Sequence, residues 1–226
     1  MFLSRRSAQA EYFDAERPPQ ELAEFYRSLN AVNRFFAFAH PFQHWVPRLL
    51  GMEACRSLSI LDVGAGDGTL GRELSRWAKH RQWSWTVTSL DSNCTALQFN
   101  SHGMNVAGSA LALPCRDASF DLVIASQMAH HLADKEVVQL LREASRVARA
   151  AVVISDLHRN PLLLFTLWLL LALRPHPAAF RADALLSVRR SWRVKELRGL
   201  AAQAGLERAC VGVAFGARVT LTSLHT

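Results

Sequence analysis

The stretch Ile60-Leu61-Asp62-Val63-Gly64-Ala65-Gly66-Asp67-Gly68-Thr69-Leu70 constrains the fold of this chain more than any other. An apolar run at 57–63 ends in glycines at every second position, and a helical pattern opens directly after them. Glycine enters left-handed backbone conformations without a steric penalty and lets a ligand approach where a Cβ would stand in the way. A strand that feeds a helix through such a turn belongs to a sheet with helical crossovers. Gly66, Gly68 and Gly71 also satisfy GxGxxG, a pattern shared with dinucleotide sites and weak when it stands alone.

The pattern continues on both sides of the loop. Helices are predicted over 69–79, 94–101 and 134–147, and strands over 85–90, 104–107, 120–125 and 151–155. A helix over 193–204 closes at Gly205. Strands over 207–213 and 218–222 follow, separated by a hairpin-length connection containing Gly216, which predicts an antiparallel pair. The expected class is α/β: a doubly wound, seven-stranded, mostly parallel sheet with an antiparallel C-terminal hairpin. Two pieces fall outside the alternation. In 1–50, Pro18-Pro19 precede Leu22, Phe25, Tyr26, Leu29, Val32, Asn33 and Phe36 on one helical face, and a short helix follows at 44–50. The other piece is 159–192, inserted within a domain spanning 51–226. Both are read as a helical cap over the carboxyl edge of the sheet, where ligands of such folds bind.

Composition narrows the function classes. A length of 226 residues, half of them hydrophobic, supports one globular domain with a cap and excludes a disordered chain. Four separated cysteines without a CxxC pair exclude a disulfide framework or a cysteine zinc site, and a reducing, cytoplasmic location is expected. The net charge of +7 comes from arginine, with lysine only at 79, 135 and 195 and no dense basic block. It is read as spread over a solvated surface, with no nucleic-acid partner. Met1-Phe2-Leu3 runs straight into Ser4-Arg5-Arg6, so no secretory leader is expected. The apolar stretch 162–173 is shorter than the about 20 residues a membrane span needs. It reads as a buried cap helix, as the wall of a hydrophobic pocket, or as a peripheral contact with a membrane or partner.

Charge bears on what the glycine loop holds. Asp62 and Asp67 bracket it, an unfavourable setting for a pyrophosphate at low local dielectric. A ligand carrying an ammonium and a sulfonium is favoured, and S-adenosylmethionine carries both. Asp67 also reads as a helix N-cap. The next strand ends in Thr88-Ser89-Leu90-Asp91, and an acid in that place suits the hydroxyls of a ribose.

The ordered set Leu61-Asp62-Val63-Gly64-Ala65-Gly66-Asp67-Gly68, Asp91, Ala112-Leu113-Pro114, Ser119-Phe120-Asp121-Leu122-Val123 and His130-His131-Leu132 resembles class I S-adenosylmethionine-dependent methyltransferases, especially the ubiquinone/menaquinone-methyltransferase-like group. The resemblance implies a Rossmann-like fold and S-adenosylmethionine as cofactor. It implies that Asp62, Gly64, Ala65, Gly66 and Gly68 face the methionine and ribose portions and that Asp91 with Ser92 holds the ribose. Ser109, Ala110 and Leu111 then flank the adenine, with Ser109 standing where the family commonly has an acid. Ser126 and Gln127 lie near the sulfonium. The tail is similar to bacterial methyltransferases of phenolic and polyketide-like secondary metabolites, on Asp156-Leu157-His158-Arg159, His176-Pro177, and Asp183 before Ser187-Val188-Arg189-Arg190.

Methyl transfer to a phenol benefits from a general base. His131 and His158, each following a strand, are the candidate catalytic residues. His130, His40, His44 and His176 are further histidines near the expected mouth. No convincing metal-ligand spacing and no GxSxG elbow occurs, so no metal is expected. Arg34, Arg159, Arg181, Arg189 and Arg190 are candidate anion contacts in the cap. The expected activity is O-methylation of a hydrophobic phenolic or polyketide-derived hydroxyl. C-methylation of a quinone precursor, a catalytically silent cofactor-binding module and a nicotinamide oxidoreductase are the alternatives.

Overall fold

The computed structural model describes residues 3–214 and 216–225. Met1 and Phe2, where the leader reading begins, Phe215 of the predicted hairpin connection, and Thr226 lie outside the described residues. Seven strands form one sheet in the order β3-β2-β1-β4-β5-β7-β6. They are β1 (Ser57–Val63), β2 (Ser84–Asp91), β3 (Met104–Ala107), β4 (Phe120–Ser126), β5 (Ala148–Leu157), β6 (Cys210–Ala214) and β7 (Arg218–Leu224). The first five pair in parallel, and β7 runs antiparallel to both β5 and β6.

Register sets the site. Val63 lies opposite both Leu90 and Ala125, and Ser126 lies opposite Ser155. The chain therefore leaves β1, β2, β4 and β5 at one level. The glycine loop, Asp91, Gln127 and Asp156 become neighbours although up to 92 residues separate their positions along the sequence.

The period-two alternation of the strands divides the core. Leu61, Val63, Val123, Ala125, Val152 and Ile154 pack under α5 (Asp134–Val147) and α8 (Val194–Gln203), with Trp192 beside them. Leu58, Ile60, Leu122, Ile124, Ala151 and Val153 face the other way, against α3 (Thr69–Lys79). The short helix α4 (Cys94–Gln98) ends before the predicted 101 because Asn100 turns its amide onto Ser89 Oγ (2.9 Å) and Asn105 Oδ1 (2.7 Å). The strand predicted from 207 begins at Cys210, after a turn closed by the Ala209 N–H on the Leu206 carbonyl. β5 outgrows the predicted 151–155 because β7 pairs with it from Ala151 to Leu157.

The pieces outside the alternation divide differently from expectation. The helix α1 (Pro19–Phe35) lies over the carboxyl edge. It shares a separate apolar cluster with α6 (Pro161–Leu173) and α7 (Ala178–Arg190), built on Val32, Leu163, Leu167, Leu171, Phe180 and Val188. In contrast, α2 (His40–Leu50) belongs to the sheet layer: Phe42 and Val46 have no exposure and pack with Ile60, Leu74 and Val153. Phe42 is therefore a core residue. Arg159 is also structural. It is buried and donates to the carbonyls of Leu3 (3.1 Å) and Ser191 (2.7 Å) and to Glu196 (2.5 Å), which leaves it no role in holding an anion.

This placement of α2 predicts that Phe42→Ala destabilises the fold by about 3–5 kcal/mol, the scale of emptying an aromatic core site. Urea unfolding reads that value directly. A loss below about 0.5 kcal/mol, as for a surface position, would return α2 to the cap.

Candidate active site

A cleft of about 390 Å³ opens at the carboxyl edge of β1, β2 and β4. Asp62, Gly64, Ala65, Gly66, Asp91, Ser92, Ser109, Ala110, Leu111, Ser126, Gln127 and His131 all line it. Of the expected cofactor-binding and catalytic residues, Gly68 and His158 do not. Gly68 sits behind the loop as the N-cap of α3, where an added Cβ would stand 2.2 Å from the Asn100 amide carbon. His158 points elsewhere: its ring meets the Asn160 amide at 3.0 Å, and its N–H bonds the Ala217 carbonyl.

The glycines are required by shape. Gly64 and Gly66 have φ of +71° and +55°. A Cβ on Gly64 would fall 2.3 Å from Met128 Cγ, and one on Gly66 would fall 2.8 Å from the Tyr26 hydroxyl. The loop is thus pressed between Met128 on one side and Tyr26 of α1 on the other. Asp91 ties it down, accepting the Gly66 N–H at Oδ2 and the Asn93 N–H at Oδ1, both at 2.8 Å. Each carboxylate oxygen keeps a second lone pair for a ligand hydroxyl. Asp67 is consumed locally, accepting from the Thr69 N–H (3.0 Å), the Thr69 hydroxyl (2.8 Å) and the Asn30 amide (2.7 Å). Ser109 Oγ accepts the Leu111 N–H at 3.1 Å, which fixes the turn that carries Ala110.

Asp62 is the electrostatic centre of the cleft. It is 1% exposed, and its Oδ2 has no hydrogen-bond partner among the described residues. Burial, with Asp91 and Asp67 adding repulsion, pushes its carboxyl up to about 8. Ser126 Oγ, also on the cleft wall, is likewise buried and unpartnered. Three acids around one cavity and an orphaned carboxylate oxygen are what a cationic ligand would satisfy. Gln127 carries φ of +52°, a strained conformation held by its N–H on the Ser155 carbonyl (2.9 Å) and its amide on Asn33 Oδ1 (2.7 Å).

No sequence pattern indicates that residues before Pro18 reach the site. A short 3₁₀ turn at Tyr12–Asp14 crosses the cleft, its backbone N–H groups at Tyr12 and Phe13 held by Asp183 at 2.8 and 3.0 Å. It delivers Asp14 to His131, with Oδ1 2.5 Å from Nδ1. Arg190 clamps Asp14 at 2.5 Å and bonds the carbonyls of His130 and His131. Burial raises the Asp14 carboxyl, but the bonds from His131 and Arg190 outweigh it and hold the group well below the usual range. Arg190 is therefore spent on this network and is not an anion contact. Beneath it, buried His130 joins Asp156 through Nδ1 (2.7 Å) and approaches Glu11 through Nε2 (3.7 Å). Glu11, His130 and His131 offer ligand atoms within 4.8 Å of one another, and Arg190 at 3.6 Å from Glu11 already supplies positive charge there. Burial pushes the Glu11 carboxyl up to about 7. The roof of the cleft is apolar: Phe13, Leu22, Phe25, Tyr26, Leu29 and Phe38, with Phe13 and Phe25 rings 4.2 Å apart. Asn30 and Asn33, polar residues on the inward face of α1, meet Asp67 and Gln127 there.

The raised Asp62 carboxyl has a signed consequence. Ionising it opposes folding, by a cost that grows from pH about 4, its unfolded value, to about 8 and is constant above. A cation bound against it restores the ionised form. S-adenosylmethionine binding near neutral pH should therefore release a proton, read as a calorimetric enthalpy that varies with the buffer. Asp62→Asn should remove that variation, weaken binding and stabilise the ligand-free protein. Asp91→Ala should weaken binding by about 1.5–3 kcal/mol, the scale of hydrogen bonds to a charged group. Unchanged affinity would sink the ribose role.

Residues 61–154 match the family described as methyltransferase domain. The fold is similar to that of an S-adenosylmethionine-dependent methyltransferase from Aquifex aeolicus, with TM-score 0.61 and 16% identity over 93% of this chain and 100% of that one. It is similar to magnesium protoporphyrin IX methyltransferase from Synechocystis, solved with S-adenosylhomocysteine, at TM-score 0.52 and 13% identity over 97% and 90% of the two chains. It is also similar to a Nostoc punctiforme protein provisionally named an O-methyltransferase, at TM-score 0.53 and 17% identity over 74% of this chain and 52% of that one. Residues 61–154 thus carry a methyltransferase domain, and the chain around them has the fold of S-adenosylmethionine-dependent methyltransferases, with an acid-ringed glycine loop at the carboxyl edge of its sheet.

Proposed function

We propose that the protein O-methylates a hydrophobic small molecule bearing a phenolic or polyketide-derived hydroxyl, with His131 as general base and Asp14 positioning it. The observation that carries this reading is the His131–Asp14 pair on the wall of the cleft that also holds Asp62, Asp91 and the glycine loop. Bound S-adenosylmethionine supplies a methyl group on a sulfonium. Asp62 would face its positive charge, and Asp91 its hydroxyls. Phe13, Phe25, Leu29 and Phe38 would take the apolar body of the acceptor, and Asn30 and Asn33 its polar edge. As the methyl group moves to the acceptor oxygen, the hydroxyl proton passes to His131. Asp14, fixed by Arg190, stabilises the imidazolium that results. Holding the two reactants in one closed cleft supplies much of the acceleration. The provisional name of the Nostoc neighbour agrees with transfer to oxygen.

A panel of phenols and polyketide-like hydroxy-aromatics, incubated with methyl-labelled cofactor, tests the reading. The expected product is a methyl ether, and a label on ring carbon would overturn it. His131→Ala should lower turnover about 100-fold or more and remove the base limb of the pH–rate profile, with S-adenosylhomocysteine affinity barely changed. Asp14→Asn should move the same way by a smaller factor. His158→Ala should leave turnover intact, because that ring lies off the cleft. Loss of cofactor affinity in His131→Ala would place that histidine in the cofactor shell instead.

A further inference from the structure

The helix α6 has two apolar faces, and among the described residues only one of them is packed. Leu163, Leu167 and Leu171 are buried in the cluster shared with α1 and α7. Leu162, Phe165, Trp168, Leu169 and Leu173 are exposed by 68, 58, 50, 43 and 72%. At 3.6 residues per turn these five fall within an arc of about 140° directly opposite the buried row. Thr166 is the one polar residue of the helix, and its hydroxyl is turned back onto the Leu162 and Leu163 carbonyls. A surface helix in water carries polar residues on its outer face, and this one carries an aromatic pair, Phe165 and Trp168, stacked at 6.0 Å. A contiguous apolar patch of this kind marks an interaction surface.

The charge around the patch identifies what it meets. Between 159 and 195 the cations are Arg159, Arg174, Arg181, Arg189, Arg190, Arg193 and Lys195, and the one acid is Asp183. Asp183 is buried and bonded to the Tyr12 and Phe13 amides, so it puts no negative charge on this face. Arg174, Arg181, Arg193 and Lys195 are exposed. An apolar groove runs along one flank of the stripe, walled by Pro161, Leu164, Phe165, Trp168 and Leu185, with Arg189 and Arg193 at its border. No helix of the described residues is long and apolar enough to cross a membrane, and thirteen residues of α6 reach only about 20 Å against a hydrocarbon core of about 30 Å. A short helix with an apolar outer face, an interfacial tryptophan and a cationic border suits the plane of a bilayer surface.

We propose that α6 docks the protein on the surface of an anionic phospholipid bilayer, burying the Leu162–Leu173 stripe among the acyl chains while Arg174, Arg181 and Arg193 meet headgroup phosphates. The proposal stands on this surface and does not depend on the acceptor or on His131. Flotation with vesicles containing phosphatidylglycerol, and with vesicles of phosphatidylcholine alone, tests it on the full chain. The wild type should partition onto the anionic vesicles, more weakly as salt rises, with a blue shift of tryptophan emission. The variant Phe165→Ser/Trp168→Ser/Leu169→Ser should lose about tenfold or more of that partition. Circular dichroism and S-adenosylhomocysteine affinity should match the wild type, which shows that the variant is folded. Arg174→Glu/Arg193→Glu, which leaves the apolar face whole, should also release the protein. Absence of partition by the wild type, equal partition onto neutral vesicles, or undiminished partition by a folded triple variant would overturn the proposal. So would self-association abolished by the triple variant and unaccompanied by vesicle binding, since the stripe would then meet a second copy of the chain.

Discussion

The arrangement above the sheet edge depends on one buried carboxylate. Asp156 leaves β5 with 1% exposure and accepts both the backbone N–H and the ring Nδ1 of His130, at 2.9 and 2.7 Å. Burial raises its carboxyl, and the charge and hydrogen bond of His130 overcome that and hold it below the ordinary value. Buried Arg218 on the adjacent strand adds to the same balance, at the cost of its own guanidinium being brought down to about 10 by burial. The pair fixes the connection after β4 against β5. Arg190 meets that connection at the His130 and His131 carbonyls and clamps Asp14, while Asp183 holds the 3₁₀ turn separately. Buried ion pairs of this kind add little net stability, and losing one partner costs about 3–5 kcal/mol. Their effect is on geometry, which is the property a positioned histidine needs.

The two halves of the cleft obey different physics. The cofactor half is short-range. Asp62, the loop glycines and Asp91 sit at the ends of two adjacent strands in register, so local sequence places them. The half proposed for the acceptor is long-range. His131 meets Asp14 across 117 residues, and Gln127 meets Asn33 across 94. Burial of uncompensated acid loads the first half, and backbone strain at Gln127 loads the second. Both are sites where a stable fold tolerates a local cost for function.

The same division explains what the sequence revealed. The periods of 57–63, 69–79, 104–107 and 134–147 match the observed elements at both ends, because strand alternation and helix amphipathicity there answer to a single core. The glycine loop is legible because the turn from β1 into α3 is a local requirement, although Met128 and Tyr26, which press on it, are distant in sequence. The helix expected over 44–50 runs over 40–50 and packs on the sheet, because an apolar face in a sequence does not say which layer it meets; Phe42 suits a cap as well as it suits the underside of a sheet. His158 followed a strand as a site residue would, yet Asn160, Ala217 and the pairing with Trp192 hold it away from the cleft, and only the tertiary path of the chain shows that. Residues 3–14 carry no period at all. Their role comes from acceptors that other elements present to them, which a one-dimensional pattern cannot display.

A roof assembled by long-range contacts is easier to change than a floor set by register. Replacing Gly64 or Asp62 disturbs the turn or the charge on which the cofactor depends, and no neighbouring substitution can supply φ of +71° to a residue bearing a Cβ that collides with Met128. Replacing Leu29, half-buried on the cleft wall, changes mainly the volume and polarity above the cleft. The acceptor wall also draws on two segments, 3–14 and α1, that lie wholly outside the stretch matched by the methyltransferase domain family. On the proposed reading, those segments have to present apolar surface and one acid to His131, which lies inside the matched stretch. Many sequences meet that requirement, so the fit for a particular acceptor would be carried by the residues that fold back over the matched stretch.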